Sequence, residues 1–469
     1  MTGSRQTIVL AGLVAIFILR PAMAAPGGTH PRISIAPSTA LEGDPVSIKV
    51  EGLAPNGTAT LHLQSVSIDG GKKEDDYSEA TFRADANGNV DLATAAPLRG
   101  SYSGADPRGL FWSARDVTAD DAVRNTIATL HLDDWADIGE GQNVLSLDED
   151  GAVAARAVLT LERGNAEVAR EDVRSNGIVG VFYCPKDAVQ RPVLIALSGS
   201  EGGLDMADWL GPRLASRGFC VFGLDYFSPP EAAVPGVPTA LARIPVESVA
   251  QVRAWLAKRP QADVNRVGIV GYSKGAEFAL VSATTYEWIK AVVAYAPSDY
   301  VWQGIRRGGQ GPVGSSWTRG GSELPFLPTT GTREAIQHGY VTGGKIDLAD
   351  IAKANIAAAS PKMLAAAAIP IETSHAALFL IGGGDDRLWD SGASVARLAA
   401  RLERAHFNKP VEIAIYPGAG HDLVGTGWRP TTQDNTGQIE DGGAPPADAH
   451  AQSDSWPKVL AFLKRQLRP

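Results

Sequence analysis

The sequence predicts a chain of two domains: an all-β sandwich followed by a doubly wound α/β domain with a mostly parallel sheet. Up to about residue 165, apolar and polar residues alternate in short segments, which is typical of antiparallel strands with one buried face. From about residue 166, runs rich in Val and Ile alternate with helical segments. This second pattern indicates a parallel sheet covered by helices on both faces. The length of 469 residues also exceeds what a single hydrophobic core usually supports.

Residues 1–24 are predicted to be a signal peptide. Arg5 supplies a positive start, residues 8–19 form an apolar run, and Ala22-Met23-Ala24 provides the small residues of a cleavage site. The apolar run is about a dozen residues long, short of the ~20 residues that a helix needs to cross a bilayer. We therefore expect an exported protein, periplasmic or secreted, with no membrane span after signal cleavage.

Residues 25–165 have the pattern of an antiparallel sandwich of the immunoglobulin-like kind. Short stretches in which every second residue is apolar recur at 46–50, 60–63, 129–132 and 158–161. Turn-forming pairs such as Asp150-Gly151 separate these stretches. We find no catalytic pattern in this region, and we interpret His62 and His131 as outward-facing strand residues.

Residues 166–469 alternate between buried-strand runs and helical segments. The strand runs lie at 178–183, 193–197, 220–224, 267–270, 291–295, 377–381 and 411–416. Helical patterns, such as 206–217 and 246–258, fall between them. Two stretches rich in Gly and polar residues, 304–332 and 425–454, break this alternation and are predicted to be long ordered loops or part of a cap.

Residues 271–275 have the sequence G-Y-S-K-G and match the G-x-S-x-G pattern of a nucleophile elbow. A buried-strand run precedes the match and a helical run follows it. A sharp turn between strand and helix holds a serine hydroxyl at the edge of the sheet, beside a helix N-terminus that favours developing negative charge. The sequence therefore predicts Ser273 as a nucleophile and an α/β-hydrolase fold for this domain.

A serine hydroxyl needs a base, and in this fold the acid and then the histidine follow the serine along the chain. His421 lies in a Gly-rich loop directly after the last predicted strand, which is where the base belongs. Among the other histidines after Ser273, His375 precedes a strand and His406 ends a helical pattern. His338 comes too early in the chain, and His450 follows no strand. We therefore predict His421 as the base.

The acid is predicted in the loop that follows the strand run 377–381. Three glycines open this loop, and Asp385 and Asp386 follow them. Either carboxylate could orient His421, and the Gly-x-x-Asp spacing favours Asp386. The other aspartate is then a solvated or loop-capping residue.

Acyl transfer also requires N–H donors for the oxyanion of the tetrahedral intermediate. One donor in this fold is the amide that follows the nucleophile, here that of Lys274. The second comes from the loop after the third strand of the sheet, which has the sequence S-G-S-E-G-G at 198–203. We predict the Ser200 amide as this donor, although an ordinary strand-to-helix turn needs similar residues.

Composition restricts the possible partners. The formal net charge of −9 argues against nucleic acid, because binding to phosphates requires a basic face. The sequence shows no phosphate-binding loop and no metal-ligand cluster, so we expect no cofactor and no metal. The expected partner is a small acyl ester or thioester.

The chain resembles the acyl-CoA thioesterase and bile acid-CoA:amino acid N-acyltransferase family over nearly the whole length after the signal peptide. The stretches that carry the resemblance are G-S-Y-S-G at 100–104, G-L-F-W-S at 109–113, G-Y-S-K-G-A-E at 271–277, S-S-W at 315–317, L-P-F-L-P at 324–328, G-D-D at 384–386 with Trp389, and Y-P-G-A-G-H at 416–421. The resemblance implies a β-sandwich domain before the hydrolase domain. It also matches the second aspartate of the Asp-Asp pair, Asp386, with the triad acid.

Two features depart from this family. Its transferase members have cysteine at the elbow, where this chain has Ser273, and an acyl-serine ester is less prone to attack by an amine than an acyl-cysteine thioester. Export would also separate the chain from coenzyme A thioesters, which are cytosolic. We predict a hydrolase that cleaves an ester or thioester through an acyl-serine. The alternatives are an N- or O-acyltransferase with the same triad, a peptidase, or a non-catalytic exported binding protein.

The two cysteines, Cys184 and Cys220, lie at the end of one predicted strand and the start of another. In the usual α/β-hydrolase order these are the second and fourth strands, which are antiparallel neighbours. This order would bring the two Cα atoms within the range that a disulfide tolerates, and an oxidising compartment would allow the bond. Two separate buried thiols are the alternative, because a one-residue change of register turns the side chains to opposite faces.

Overall fold

The computed structural model describes residues 30–69, 72–117, 121–132, 135–307, 313–432 and 438–468, so the predicted signal peptide lies outside the described residues. The described residues of the first part of the chain form ten strands: β1 Arg32–Ala36, β2 Thr39–Leu41, β3 Ser47–Glu51, β4 Thr58–Asp69, β5 Lys72–Arg83, β6 Val90–Asp91, β7 Arg99–Gly100, β8 Arg115–Asp116, β9 Gln142–Glu149 and β10 Ala152–Glu162. It also contains the helices α1 Gly109–Trp112 and α2 Asp121–Leu130.

These strands form a sandwich of two sheets. One sheet has the order β1-β3-β6, and the other has the order β2-β10-β9-β4-β5-β7, with β8 paired to β5. Alternate apolar residues of the two sheets share one buried core: Ile48 and Val50 of β3 lie in the same cluster as Leu61 and Leu63 of β4. The alternation of apolar and polar residues, from which strands were predicted here, therefore shows which face each strand buries.

Two predictions for the sandwich are wrong. Residues 129–132 do not form a strand, because Leu130 ends helix α2 and His131 follows it with a φ of 49°. His62 lies on β4 but does not face solvent: it is 2% exposed, and its Nδ1 lies 2.7 Å from the Tyr77 hydroxyl. The reason is that Leu130 and neighbouring apolar residues pack on Tyr77 and cover the outer face of the larger sheet.

The second part of the chain is built on an eight-stranded sheet. Its strands are β11 Val168–Ser175, β12 Ile178–Pro185, β13 Arg191–Leu197, β14 Cys220–Leu224, β16 Ala262–Tyr272, β17 Ile289–Tyr295, β20 Ala377–Gly383 and β21 Val411–Tyr416. Three short strands, β15 Ile244–Pro245, β18 Trp317–Arg319 and β19 Ser322–Glu323, form a separate sheet. The helices are α3 Asp205–Ala215, α4 Glu247–Leu256, α5 Lys274–Thr285, α6 Thr332–Thr342, α7 Leu348–Ala358, α8 Pro361–Ala367, α9 Ser391–Arg404 and α10 Pro445–Gln466.

The strand order is β11-β12-β14-β13-β16-β17-β20-β21. Strand β12 runs antiparallel to both of its neighbours, and the other pairs are parallel. The exchange of the third and fourth strands and the single antiparallel strand make this an α/β-hydrolase sheet, as predicted. All seven predicted runs are strands of this sheet. The prediction missed the edge strand β11, because most of its residues are exposed and polar and therefore carry no hydrophobic signal.

The long insertion between β17 and β20 is more regular than the sequence indicated. The stretch 304–332 contains β18 and β19 and leads directly into the three helices α6, α7 and α8. The stretch 425–454 ends in the first turns of α10, which begins at Pro445. Proline at the start of a helix lacks only an N–H that has no intrahelical acceptor in any case. No helix among the described residues is long and apolar enough to cross a membrane.

Cys184 and Cys220 form a disulfide, with their Cα atoms 4.4 Å apart. The register of β12 on β14 pairs Tyr183 with Val221, so the next residues outward on the two strands, the cysteines, face each other. The antiparallel neighbour relation on which the prediction depended is confirmed.

A buried charge cluster joins the sandwich to the α/β domain. Glu42, after β2, is 2% exposed and lies between Arg213 of α3 and Arg429 of the loop that follows His421. The Thr426 hydroxyl, also in that loop, donates to Glu42 Oε1 at 2.9 Å. The sandwich is therefore bonded to the same loop that carries the predicted base.

Candidate active site

The predicted nucleophile lies on a sharp turn between β16 and α5. Ser273 has φ 55° and ψ −121°, a conformation that a non-glycine residue adopts only when its surroundings determine it. Gly271 and Gly275, on either side of the serine, must be glycines because backbone atoms lie where a Cβ would be. A Cβ at Gly271 would lie 2.2 Å from the Gly275 carbonyl oxygen, and a Cβ at Gly275 would lie 2.1 Å from the Leu197 carbonyl oxygen. The G-x-S-x-G spacing is thus explained by backbone contacts.

His421 approaches this serine from the loop after β21. Its Nε2 lies 2.9 Å from Ser273 Oγ. The loop is fixed on two sides: the His421 amide donates to the Asp441 carbonyl at 2.8 Å, and the Gly420 amide donates to Asp448 Oδ1 at 2.7 Å. Asp448, at the start of α10, is buried, and the sequence analysis did not identify it because α10 is distant in sequence from His421.

The structure places Asp386, and not Asp385, beside the histidine. Asp386 Oδ2 lies 2.9 Å from His421 Nδ1, and Asp386 Oδ1 accepts the Leu388 amide at 2.9 Å. Asp385 points the other way, where Arg387 and the Gly443 amide contact it at 3.4 and 3.3 Å. Asp385 is therefore the loop-bracing residue of the pair.

The charges of this cluster support each other. Burial opposes protonation of His421, but the Asp386 carboxylate outweighs this effect and raises the pKa of His421 above its usual value. Burial likewise opposes ionisation of Asp386, but His421 and the hydrogen bonds from the Ser391 and Leu388 amides hold the pKa of Asp386 below its usual value. The arrangement thus stabilises an imidazolium beside a carboxylate, which a histidine acting as a general base requires.

One predicted oxyanion donor, Lys274, directly follows the serine, and the other, Ser200, lies in a loop that packs on the elbow. Lys274 is the first residue of α5, so its amide has no acceptor within the helix. The 198–203 loop packs on the elbow: a Cβ at Gly199 would lie 2.9 Å from Ser273 Cβ. The Gly199 amide is occupied by Glu201 Oε1 at 2.6 Å, whereas no acceptor among the described residues contacts the Ser200 amide. The Ser200 and Lys274 amides are therefore available to a ligand.

The side chains of Lys274 and Glu277 form a buried pair beside the elbow, and sequence reasoning did not identify it. Two buried residues of the insertion after β17 donate to this pair: Trp302 through its main-chain amide and Trp317 through its indole N–H. The signal was present in the G-Y-S-K-G-A-E motif, because a spacing of three places Lys274 and Glu277 on one helix face. Among the described residues, no group of three His, Cys, Asp or Glu side chains is arranged to hold a metal ion.

The strand order and the serine elbow define a member of the α/β-hydrolase class. Three family models match the chain: "Acyl-CoA thioester hydrolase/BAAT N-terminal region" over residues 43–133, "BAAT / Acyl-CoA thioester hydrolase C terminal" over 245–469, and "PET hydrolase-like" over 146–306. The chain belongs to the acyl-CoA thioester hydrolase/BAAT family, and it is a hydrolase of ester or thioester bonds.

Similar proteins cover almost the full length of the chain. Acyl-coenzyme A thioesterase 2, mitochondrial, of Rattus norvegicus is 26% identical over 94% of this chain and 90% of its own length. Acyl-coenzyme A thioesterase 5 of Mus musculus is 28% identical over 93% of this chain and 97% of its own. Among solved structures, an esterase of Pyrobaculum calidifontis is 18% identical, with a TM-score of 0.38 over 63% of this chain and 85% of its own. The strand order and the serine elbow of this chain by themselves identify the α/β-hydrolase fold.

Proposed function

We propose that the chain hydrolyses an acyl ester or acyl thioester through a covalent acyl-Ser273 intermediate, with His421 as the base and Asp386 as the acid that orients it. The observation that carries this proposal is the pair of 2.9 Å contacts, Ser273 Oγ to His421 Nε2 and His421 Nδ1 to Asp386 Oδ2, on a strained elbow. These contacts connect nucleophile, base and acid in the geometry that acyl transfer by serine needs.

In the acylation step, His421 Nε2 takes the proton of the Ser273 hydroxyl while Oγ attacks the substrate carbonyl carbon. The Lys274 and Ser200 amides donate to the oxyanion that forms. His421 then gives its proton to the leaving oxygen or sulfur, and the bond between that atom and the carbonyl carbon breaks.

Deacylation repeats these steps with water in place of the serine. His421 removes a proton from the water, the water oxygen attacks the acyl carbon, and the proton returns to Ser273 Oγ as the acid product leaves. Asp386 remains a carboxylate throughout, as its lowered pKa favours. An oxyester at Ser273 favours water over an amine as acceptor, which supports hydrolysis rather than transfer.

The substrate class follows from the family. The relatives named above are acyl-coenzyme A thioesterases, and we propose that this chain acts on an acyl group in an activated ester or thioester. A panel of p-nitrophenyl esters and acyl thioesters of increasing chain length, tested on the mature protein, would identify the preferred acyl group and leaving group.

The nucleophile assignment is tested with Ser273→Ala. We expect turnover of every substrate to fall by several orders of magnitude and labelling by a fluorophosphonate probe to be lost. Ser282→Ala is the matched control, because Ser282 is also buried on α5 but its hydroxyl contacts no polar partner in the described part of the chain. Substantial turnover or labelling by Ser273→Ala would refute the proposal.

We also propose that the chain is exported, as the predicted signal peptide and the bridged cysteines both favour. Expression of the full-length chain, followed by fractionation and N-terminal sequencing, tests this. The expected result is a periplasmic or secreted protein whose first residue is Ala25. A cytoplasmic protein with an intact Met1 would contradict it.

A further inference from the structure

The Lys274 side chain turns into the protein and pairs with Glu277 on the next turn of α5. Lys274 Nζ lies 2.6 Å from Glu277 Oε2, and the two side chains are 4% and 0% exposed. The proposed chemistry uses only the main-chain amide of Lys274, so the two charges have no role in the acyl-transfer steps. Burying them carries a desolvation cost that their attraction offsets only when further hydrogen bonds complete the site.

Those further hydrogen bonds come from the insertion after β17. Glu277 Oε1 accepts the Trp302 amide at 3.1 Å and the Trp317 indole N–H at 2.7 Å. The Trp317 ring stacks on Phe278 with centroids 4.4 Å apart. One carboxylate therefore bonds the first turn of the nucleophile helix to two points of a segment that is 25 to 40 residues distant in sequence.

The Lys274 ammonium group also connects this pair to the loop that carries Asp386. Lys274 Nζ lies 5.4 Å from the centroid of the Trp317 ring and 5.9 Å from that of Trp389, within the range of a cation–π attraction. The Trp389 amide donates to Asp386 Oδ1 at 3.3 Å, and its ring meets the His421 ring edge-on at 6.0 Å. The Lys274–Glu277 pair therefore contacts residues that position the nucleophile, the acid and the base.

We propose that Glu277 is a positioning residue for the oxyanion site: by holding the Lys274 side chain against the Trp302 and Trp317 segment, it fixes the direction of the Lys274 amide. This inference rests on the proposed function. The direction of that amide depends on the backbone at Ser273, which is strained and must be held by its surroundings. A misdirected donor weakens binding of the transition state but leaves binding of the substrate nearly unchanged.

The test removes both charges while keeping side-chain size, with the double variant Lys274→Met and Glu277→Gln. The matched control is Lys353→Met with Asp350→Asn, an exposed pair at the same spacing on α7. For each protein we would measure kcat and KM per titrated active site. We would also measure the affinity for a trifluoromethyl ketone, which forms an oxyanion with the serine, and for the product acid, which does not.

We expect the double variant to lose about 10- to 100-fold in kcat, as displacement of an oxyanion donor does. KM should stay within about threefold, the ketone affinity should fall in parallel with kcat/KM, and the affinity for the product acid should not change. The control pair should match the wild-type protein in all four measurements.

Two results would overturn the inference: a kcat per active site within about twofold of wild type, or a parallel loss of affinity for ketone and product acid. The second result would assign the pair to the substrate pocket. If the double variant does not fold, Glu277→Gln alone is judged by the same criteria, because its amide oxygen can still accept the Trp317 indole N–H. Turnover by the wild-type protein and its loss in Ser273→Ala decide the proposed function separately.

Discussion

The charge cluster at Glu42 allows a quantitative prediction about stability. Burial alone would raise the pKa of Glu42, but the guanidinium groups of Arg213 and Arg429 lower it from 4.5 to about 2. Because the pKa is lower in the folded state, this contribution to stability is fully present above pH 4.5 and is lost as the pH falls towards 2. A difference of about 2.5 pKa units corresponds to about 3 kcal/mol at pH 7 and to about half of that near pH 3.

Replacement of the carboxylate has a second effect. Burial lowers the pKa of Arg213 to about 10, even though Glu42 opposes this shift, so the guanidinium depends on its counter-charge. Glu42→Gln leaves Arg213, which is 0% exposed, without that counter-charge. Breaking a buried ion pair from one side typically costs about 3–5 kcal/mol, and we expect a loss of this size at pH 7.

Urea unfolding, followed by tryptophan fluorescence at pH 7 and pH 3, checks both parts of this prediction. Glu51→Gln is the matched control, because Glu51 pairs with Arg32 at the surface of the same sandwich and exposed pairs contribute about 0–1 kcal/mol. The loss in Glu42→Gln should be smaller at pH 3 than at pH 7. Equal losses in the two variants at pH 7, or a loss in Glu42→Gln that does not depend on pH, would refute the reasoning.

Three further predictions concern the site and the disulfide. Asp386→Asn should lower kcat by about three to four orders of magnitude, whereas Asp385→Asn should cost far less, and equal effects in steady-state assays would contradict the placement of the acid. The activity should disappear as the pH falls through the raised pKa of His421. If kcat/KM instead rises with a midpoint at or below pH 6.5, the usual pKa of a histidine, Asp386 does not raise the pKa of His421. In the Asp386→Asn variant, the midpoint of any remaining rise in kcat/KM should move to lower pH. Alkylation without reductant, followed by intact-mass measurement, should find no free thiol at Cys184 or Cys220, and reduction should cost about 3–4 kcal/mol for a separation of 36 residues. Two alkylated thiols would exclude the bridge.

Much of the α/β domain was predictable because the deciding forces are local. Buried parallel strands must be apolar along their whole length, so each central strand is visible as a run of Val and Ile. The elbow is visible because Gly271 and Gly275 have backbone atoms where a side chain would stand. The order of Ser273, the Asp pair and His421 then follows from the strands that precede each of them.

The sequence alone could not distinguish Asp385 from Asp386 with certainty, because adjacent residues share one loop and differ only in direction. The family resemblance and the Gly-x-x-Asp spacing favoured Asp386. In the structure, Asp385 is held by Arg387 and by the Gly443 amide, and this leaves Asp386 facing His421. The deciding partner is 58 residues from Asp385 along the chain.

The sequence by itself determined the two kinds of sheet and the position of the serine elbow, since each depends on short-range periodicity or on backbone contact. The neighbour relation of the two cysteines followed only from the usual strand order of the α/β-hydrolase fold. Only the tertiary structure decided which polar residues are buried. His62 alternates like a solvent-facing residue but is covered by α2. Glu42 meets Thr426 across 384 residues, and Glu277 meets Trp317 across 40. Glu42 and Glu277 are buried beside partners from distant segments, and a local pattern contains no information about those partners.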